Sequence, residues 1–203
     1  MVRATAASAR PYHHGDLRRA VVEAALEEIA LGGAAALSLR QVARRAGVSH
    51  AAPAHHFGDK AGVLTAIAAE GYDLLARATG EALAAGGNLW EVGAAYVRFS
   101  AGHQSHFEVM WRPDLCHVND PDLARARDTA FGVLLDASAR ALGDDEADAL
   151  GLAVAAWSFA HGFASLLVHG NLPPELGTDE EVISNRLATG LTNLVACHRG
   201  TPT

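Results

Sequence analysis

The chain has 203 residues, half of which are hydrophobic, and its formal net charge is −7 at pH 7. This apolar content argues against a disordered chain, because enough hydrophobic residues are present to build a core. The two cysteines have no short spacing between them, which argues against a disulfide framework or a zinc finger. The lack of a disulfide framework fits a reducing environment, so we expect a cytoplasmic protein. Residues 1–14 lack the continuous apolar segment of a signal peptide, so we expect a flexible arm there.

The charge is unevenly distributed along the chain. Residues 1–60 contain eight Lys or Arg and five Asp or Glu, a net charge of +3, which leaves −10 for the remaining residues. A basic segment can meet the phosphates of a nucleic acid, while an acidic remainder reduces non-specific attraction to polyanions. The distribution therefore favours a nucleic-acid contact near the N-terminus.

A short helix-turn-helix is predicted over residues 38–57. Ser38 and Gln41 fit a capping box that starts one helix at residue 39. Gly47 suits the tight turn that follows, because glycine readily takes a positive φ. Ser49 is a suitable N-cap for a second helix over residues 50–56. This motif couples a helix to the DNA major groove, although an ordinary αα-hairpin uses similar turns.

The predicted motif carries side chains suited to DNA. We expect His50, Ala51 and Ala52 to lie nearest the base edges, because histidine can hydrogen-bond a purine and alanine methyls can contact thymine. Basic side chains would hold phosphates, and Arg45 either does the same or faces solvent. The complete predicted DNA-binding set is Ser38, Arg40, Gln41, Arg44, Ser49, His50, Ala51, Ala52, His55, His56 and Lys60.

The rest of the chain is predicted to be helical as well, giving an all-α fold of about nine helices. Alternating apolar and polar runs bounded by turn dipeptides, the pattern typical of strands, are absent from the sequence. Helix starts are predicted at Asp59, at Asn88 with Glu91, at Asp120-Pro121, at Asp144, and at Thr178 with Glu181.

Residues 149–174 contain no charged side chain, and this segment is long enough to cross a membrane. Polar residues interrupt the segment and no basic cluster flanks it, so we expect a buried helix instead. The two late helices predicted over residues 145–169 and 179–197 have more apolar surface than one small domain needs. A partner should cover that surface.

The middle of the chain mixes aromatic residues with few charges. Residues 96, 99, 103, 107 and 110 recur at helical spacing and are predicted to share one face. This face is either a core stripe or the lining of a cavity for an apolar or aromatic ligand, with Arg112 as a further polar group. The candidate ligand-binding residues are Tyr96, Phe99, His103, Phe107, Met110, Trp111, Phe131, Trp157 and His161.

An all-α enzyme or a metal-binding protein is the alternative interpretation. His103 and His106 lie three residues apart and Cys116-His117 follows, so a tetrahedral metal site is conceivable. His103 and His161 could also work with Glu108 or Asp114 in acid-base chemistry. The sequence shows no nucleophile motif and no phosphate loop, and we predict no catalytic residue, metal or cofactor.

Residues 15–75 resemble the N-terminal domain of the TetR family of transcriptional regulators. The resemblance rests on the helix-turn-helix and on the segment FGDKAGVL, in which Phe57, Lys60 and Leu64 match the family's usual aromatic residue, lysine and leucine. Further on, AAWSFAHGFASLL resembles the Trp-His-Gly signature of one C-terminal domain class of TetR-like regulators. Many family members have a phosphate-binding tyrosine where this chain has Ala54, and the neighbouring His55 and His56 could replace that contact.

The resemblance implies two domains with different functions. Residues 15–75 would form a three-helix DNA-binding domain, and residues 76–203 would form a helical domain for effector binding and dimerisation. It also implies a homodimer with a four-helix interface, and it makes a ligand pocket the favoured interpretation of the middle segment. The expected function is that of a repressor that binds a pseudo-palindromic operator in double-stranded DNA and is released by a small apolar or aromatic effector. No membrane partner and no enzymatic activity are expected.

Overall fold

The computed structural model of the protein describes residues 14–143 and 148–177 and the isolated positions 182, 183, 186, 189 and 190, with backbone alone for residues 14–16. All regular structure within these residues is helical, which confirms the predicted all-α fold. The α-helices described are α1 (His14–Gly32), α2 (Leu39–Arg45), α3 (Ala52–Phe57), α4 (Lys60–Ala84), α5 (Leu89–Gly102), α6 (Gln104–Met110), α7 (Pro121–Leu142) and α8 (Ala149–Val168). Short 3₁₀ turns lie at Ala34–Ala36, Pro113–Leu115 and Pro174–Leu176.

The described residues pack into two compact units. The first contains the residues up to Arg77 together with His103–Val133, and the second contains Ala78–Gly102 and the residues from Leu134 onward. Residues 103–133 therefore pack with the N-terminal helices, although they lie in the predicted C-terminal domain. The functional boundary at residue 75 stays a prediction.

The core of the first unit is built on α1. Its side chains at Val21, Ala25 and Ile29 recur every four residues and are fully buried or nearly so. This helix packs against α2, α3 and α6. Burial of one large aliphatic side chain of this kind contributes roughly 1.5–3 kcal/mol to folding.

The turn of the predicted helix-turn-helix forms as expected. Gly47 has φ 66°, which glycine adopts without the steric cost of a side chain. The amide of Val48 donates to the carbonyl of Ala43 at 3.0 Å and closes the turn. Ala43 is fully buried, so its small side chain allows close packing at this corner.

Three predicted helix caps are confirmed. Asp59 accepts a hydrogen bond from the amide of Gly62 at 2.8 Å at the start of α4. Asp120 does the same for Leu123 at 2.9 Å in α7. At the start of α5, the side chain of Asn88 accepts from the amides of Trp90 and Glu91, and the Glu91 carboxylate accepts from the Asn88 amide. This reciprocal pair is the predicted capping box.

The two caps predicted for the helix-turn-helix are wrong. Ser38 holds the N-cap position of α2, but its side chain caps no amide, so the capping box with Gln41 does not form. Gln41 is exposed, and water competes for its hydrogen bonds. Ala51 holds the N-cap position of α3 instead of Ser49. The helix starts later than predicted and places Pro53 in its first turn, where a missing N–H costs little.

Of the starts predicted for the last two helices, one is misplaced and the other lies outside the described residues. Helix α8 begins at Ala149 rather than near residue 145, because Asp148 accepts from the amide of Gly151 at 2.7 Å and caps it. The predicted cap residue Asp144 lies outside the described residues. The cap predicted at Thr178 and Glu181 lies outside them as well, as does most of the final helix predicted over residues 179–197.

The second unit is built on the contact between α5 and α8. The residues of α8 buried in this unit are Ala153, Ala160, Phe163 and Ala164. The buried helix expected here is only partly buried in the single chain, because Leu150, Val154 and Leu166 are 56%, 44% and 47% exposed. By length and composition alone α8 could cross a membrane, but one face of the helix already packs in this unit.

The α5 cap offers a direct test of the folded structure. Replacing Asn88 with Ala removes the acceptor for two amides and should lower the free energy of unfolding by about 1 kcal/mol, whereas Asn88→Asp should retain most of it. Urea denaturation followed by circular dichroism measures both variants. Equal stability of the Ala variant and the unchanged protein would contradict the observed cap.

Candidate nucleic-acid interface

Helices α2 and α3 turn one side toward the core and the other toward solvent. Val42 and Ala43 on α2 are fully buried. The exposed residues of the predicted DNA-binding set are Arg40, Gln41 and Arg44 on α2, Ser49, His50 and Ala51 in the turn, and His55 on α3. No described acidic residue forms an ion pair with Arg40 or Arg44. Both guanidinium groups therefore remain available for phosphate, and their assignment to DNA stays a prediction.

Arg45 has a different role from its neighbour. Its guanidinium donates to the carboxylates of Glu28 at 2.6 Å and Glu27 at 2.9 Å, both on α1. These hydrogen bonds raise the pKa of Arg45 further above its ordinary value. The sequence left Arg45 between a phosphate contact and solvent, and the structure instead uses it to join α2 to α1.

One of the predicted base contacts is misplaced. Ala52 is 9% exposed, and it forms the inner face of α3 together with the buried Pro53. Its methyl group packs inside the protein and is not presented to thymine, so that prediction is wrong. The outer face of α3 instead carries Ala54 and His55.

The end of α3 is held by aromatic contacts. The His55 and His56 rings meet edge to face with centroids 5.3 Å apart, and His56 is half-buried. The guanidinium carbon of Arg18 on α1 lies 5.1 Å from the centroid of the Phe57 ring, a cation–π distance. Sequence reasoning missed Arg18, because no local pattern links it to a ring so far along the chain.

Lys60 and Ser38 are less accessible than predicted. The Lys60 ammonium donates to the carbonyl of Ala35 at 2.6 Å, in the turn that precedes α2. An ammonium has three donors, so a phosphate contact is still possible for this residue. Ser38 is half-buried.

The single aromatic face predicted for the middle segment does not exist. Helix α5 ends at Gly102, His103 has φ −130° and ψ 47°, and α6 starts a new helix at Gln104. Tyr96 and Phe99 consequently belong to the second unit, while His103, Phe107 and Met110 belong to the first. The spacing predicted one helix, and the break at His103 divides the face into two.

In the first unit, the predicted ligand residues behave mainly as core. Phe107 and Met110 are 3% and 5% exposed, and the Phe107 ring meets that of Trp111 with centroids 6.2 Å apart. The hydroxyl of Tyr72 donates to the Met110 carbonyl at 3.1 Å, and burial raises the pKa of Tyr72 to about 12. Phe131, on α7 in the same unit, is half-buried.

The second unit brings two predicted ligand residues together. Tyr96 Oη on α5 and His161 Nδ1 on α8 lie 2.9 Å apart in a hydrogen bond, with their rings edge to face. Burial lowers the pKa of His161, so the neutral imidazole is favoured at pH 7. Trp157 is half-buried on the same helix, and Phe99 is buried on α5. The assignment of these residues to an effector stays a prediction.

A polar cleft of about 810 Å³ lies in the first unit. The charged side chains on its walls include Arg18, Arg19, Glu70, Asp73 and Arg77. Among the predicted ligand residues, His103 alone lines this cleft. Its charged walls do not suit an apolar effector, so the cleft is not the predicted ligand site.

His106 is a buried polar group in this cleft. Its side chain is 9% exposed, and Nε2 lies 3.4 Å from Glu70 Oε1 but is too poorly aligned for a hydrogen bond. The His103 ring lies edge to face with it, at 5.9 Å between centroids. Burial lowers the pKa of His106, although the Glu70 carboxylate partly opposes this effect and Arg19 and His103 reinforce it.

The residues proposed for metal or enzyme chemistry are engaged elsewhere. Glu108 accepts from the amide of Ala34 at 2.7 Å, and Asp114 pairs with both ends of the Arg112 guanidinium at 3.0 and 2.9 Å. His117 Nε2 lies 3.0 Å from Asp59 Oδ1. In the described part of the chain, no three His, Cys, Asp or Glu side chains converge on a common point suited to a metal ion.

Two family models match the chain. The model described as bacterial regulatory proteins, tetR family, matches residues 21–67, which include the helix-turn-helix. The model described as tetracyclin repressor-like, C-terminal domain, matches residues 89–191, which include Tyr96 and His161.

Solved structures with a similar fold extend this comparison. A protein with unknown function from Rhodococcus sp. RHA1 is 32% identical with a TM-score of 0.72, and the match covers 89% of this chain and 96% of that chain. PfmR, a TetR family transcriptional regulator from Thermus thermophilus, is 22% identical with a TM-score of 0.60, over 81% and 92% of the two chains. The multidrug binding protein EbrR, complexed with imidazole, is 20% identical with a TM-score of 0.56, over 85% and 88%. The comparison with curated protein sequences finds no match.

The buried His106 should make folding sensitive to acid. Because its folded-state pKa is depressed, the unfolded chain binds a proton that the folded chain resists, so the free energy of unfolding should fall as pH is lowered from about 7.5 to 5.5. His161 contributes in the same direction. Replacing His106 with Gln should flatten the dependence measured by urea denaturation at several pH values. A slope as steep in the His106 variant as in the unmodified protein would contradict the assignment.

Proposed function

This chain belongs to the TetR family of bacterial transcriptional regulators, and from that premise we propose that it is a cytoplasmic repressor released from DNA by a small effector. The observation that carries the proposal is the exposed face of α2, with Arg40 and Arg44 unpaired among the described residues beside a short α3. In this proposal the chain binds its effector without chemically converting it.

The proposed recognition places α3 in the major groove. Arg40, Gln41 and Arg44 would hold phosphates and fix the register of the protein, without reading sequence. His50 and Ala51 in the preceding turn would contact base edges. Ala54 replaces the family's usual tyrosine and is exposed, so its methyl group could contact thymine where the tyrosine would hold a phosphate.

The proposed dimer uses the exposed face of α8. The exposed residues of this helix follow one another at spacings of one, three or four positions and form a continuous stripe: Leu150, Gly151, Val154, Ala155, Ser158, Gly162 and Leu166. An apolar side of this length in a globular regulator favours a second copy as the partner. A two-fold dimer would read a pseudo-palindrome whose half-sites lie about one helical turn of DNA, roughly 34–36 Å, or a multiple of it, apart.

The proposed effector is a small apolar or aromatic molecule that binds near Tyr96 and His161. Aromatic side chains with a few placed polar groups are typical of small-molecule sites. A multidrug binding protein of the same fold is consistent with such a ligand. Induction would be a population shift, in which the effector binds better to a form whose recognition helices no longer match the operator. The effector must then bind less tightly when DNA is bound.

Arg44 and Arg140 form a matched pair for testing DNA binding, because both are exposed helical arginines and Arg140, on α7, is not part of the proposed interface. Arg44→Ala should weaken binding to every duplex and reduce the salt slope by about one phosphate contact. Arg140→Ala removes the same charge elsewhere and should leave the salt slope unchanged. Fluorescence anisotropy measures the affinity of both variants at salt concentrations from about 50 to 200 mM, roughly the range over which binding through phosphate contacts weakens steeply. Equal salt slopes for the two variants would count against the proposed interface.

The dimer proposal is tested at the α8 face. Val154→Glu places a charge on the exposed apolar side and should weaken self-association at least about tenfold, because an unpaired charge would be buried in the interface. Leu31→Glu is the control, since Leu31 is 75% exposed on α1 and lies outside this face. Sedimentation velocity at micromolar concentration measures both variants. A monomeric unmodified protein would rule the proposed dimer out.

A further inference from the structure

The turn between α1 and α2 lacks a cap of its own. Gly33 has φ 79° and precedes the 3₁₀ turn Ala34–Ala36, whose first amide belongs to Ala34. No side chain of the turn caps that amide, although Ala34 is fully buried. A buried amide without an acceptor is strongly unfavourable, so the acceptor must come from elsewhere.

Glu108 on α6 supplies that acceptor. Its Oε1 accepts from the Ala34 amide at 2.7 Å, a short hydrogen bond of the charge-assisted kind. The carboxylate lies close against the backbone, since a Cβ added at Gly33 would come within 3.3 Å of the same oxygen. Glu108, 74 positions away along the chain, thus takes the place of a local N-cap.

A second contact fixes the other side of the turn. Lys60 at the start of α4 donates to the carbonyl of Ala35 at 2.6 Å. One peptide segment is therefore bound at its amide by α6 and at its carbonyl by α4. This turn leads within three residues into α2, which carries Arg40 and Arg44, so its position sets the direction of that helix.

We propose that Glu108 is a positioning residue for DNA binding, which holds the turn before α2 in the orientation that presents the phosphate-binding face. The inference rests on the proposed function and adds a residue on α6, outside the helix-turn-helix, to the machinery of operator recognition. Without Glu108 the turn takes other positions as well, and the apparent affinity falls by the fraction of molecules that remain competent to bind.

The chain offers a matched control on the same helix. Ser105 Oγ on α6 donates to the Leu26 carbonyl at 3.0 Å, which joins α6 to α1 but does not touch the turn. Ser105→Ala should therefore lower thermal stability without changing DNA affinity. Glu108→Gln keeps an acceptor oxygen of the same length, and Glu108→Asp keeps the charge but is one methylene shorter.

The experiment measures the affinity of the full chain for the duplex that the unmodified chain selects from random-sequence DNA. Glu108→Ala and Glu108→Asp should bind about tenfold more weakly with an unchanged salt slope, because the molecules that remain competent keep every phosphate contact. Glu108→Gln and Ser105→Ala should stay within about twofold of the unmodified chain. Circular dichroism at the assay temperature shows which variants are folded. If Glu108→Ala is unfolded, the comparison rests on Glu108→Asp.

Three outcomes separate the possibilities. Weaker binding by Glu108→Ala and Glu108→Asp, together with near-normal binding by Glu108→Gln and Ser105→Ala, supports the positioning role. Unchanged affinity in both Glu108→Ala and Glu108→Asp, or an equal loss in Ser105→Ala, overturns it, because affinity would then be independent of the turn or would follow general stability. Failure of the unmodified chain to select any duplex overturns the proposed function itself.

Discussion

Helices α2 and α3 have seven and six residues, which is too short for either to be stable in water alone. Their existence and direction therefore depend on what they contact in the first unit. Burial of Val42 and Ala43 provides the apolar part of that support. The polar part comes from Arg45 on Glu27 and Glu28, and from the turn bound by residues of α4 and α6. The DNA-binding surface is thus built on contacts from outside the motif.

The basic residues near the N-terminus divide into two groups that the sequence does not distinguish. Arg45 pairs with carboxylates, and Arg18 lies over the Phe57 ring, so their charges contribute to holding the motif together. Arg40 and Arg44 are exposed, and no described acidic residue pairs with them. A net positive charge in this segment therefore overstates the number of cations free to meet phosphate. Residue type gives the charge, and only the tertiary contacts decide how it is used.

The features predicted correctly from sequence depend on neighbours within a few positions. The caps at Asp59, Asn88 and Asp120 each involve an amide two or three residues ahead, so their residue types are informative on their own. The Gly47 turn has the same local origin. The failures include two local patterns, the caps predicted at Ser38 and Ser49, which do not form. The other failures involve distance or context. The helical spacing continues across His103 although the helix does not, and the Glu108 contact joins α6 to a turn far away in the sequence.

The buried helix expected at α8 is buried on one face alone in the single chain. Its lack of charge suggested a core helix, but one chain of this size covers only the face that packs in the second unit. The sequence shows how much apolar surface this helix has, and that amount predicted a partner. Which face of the helix remains exposed became visible only in the folded chain.

Hydroxyl-radical footprinting of a duplex selected by the protein tests the central claim most directly, since it maps where the backbone is covered. Our account predicts two protected segments on one face of the DNA, related by a dyad and separated by about one helical turn or a multiple of it. A single protected segment, or uniform protection along the duplex, would contradict it.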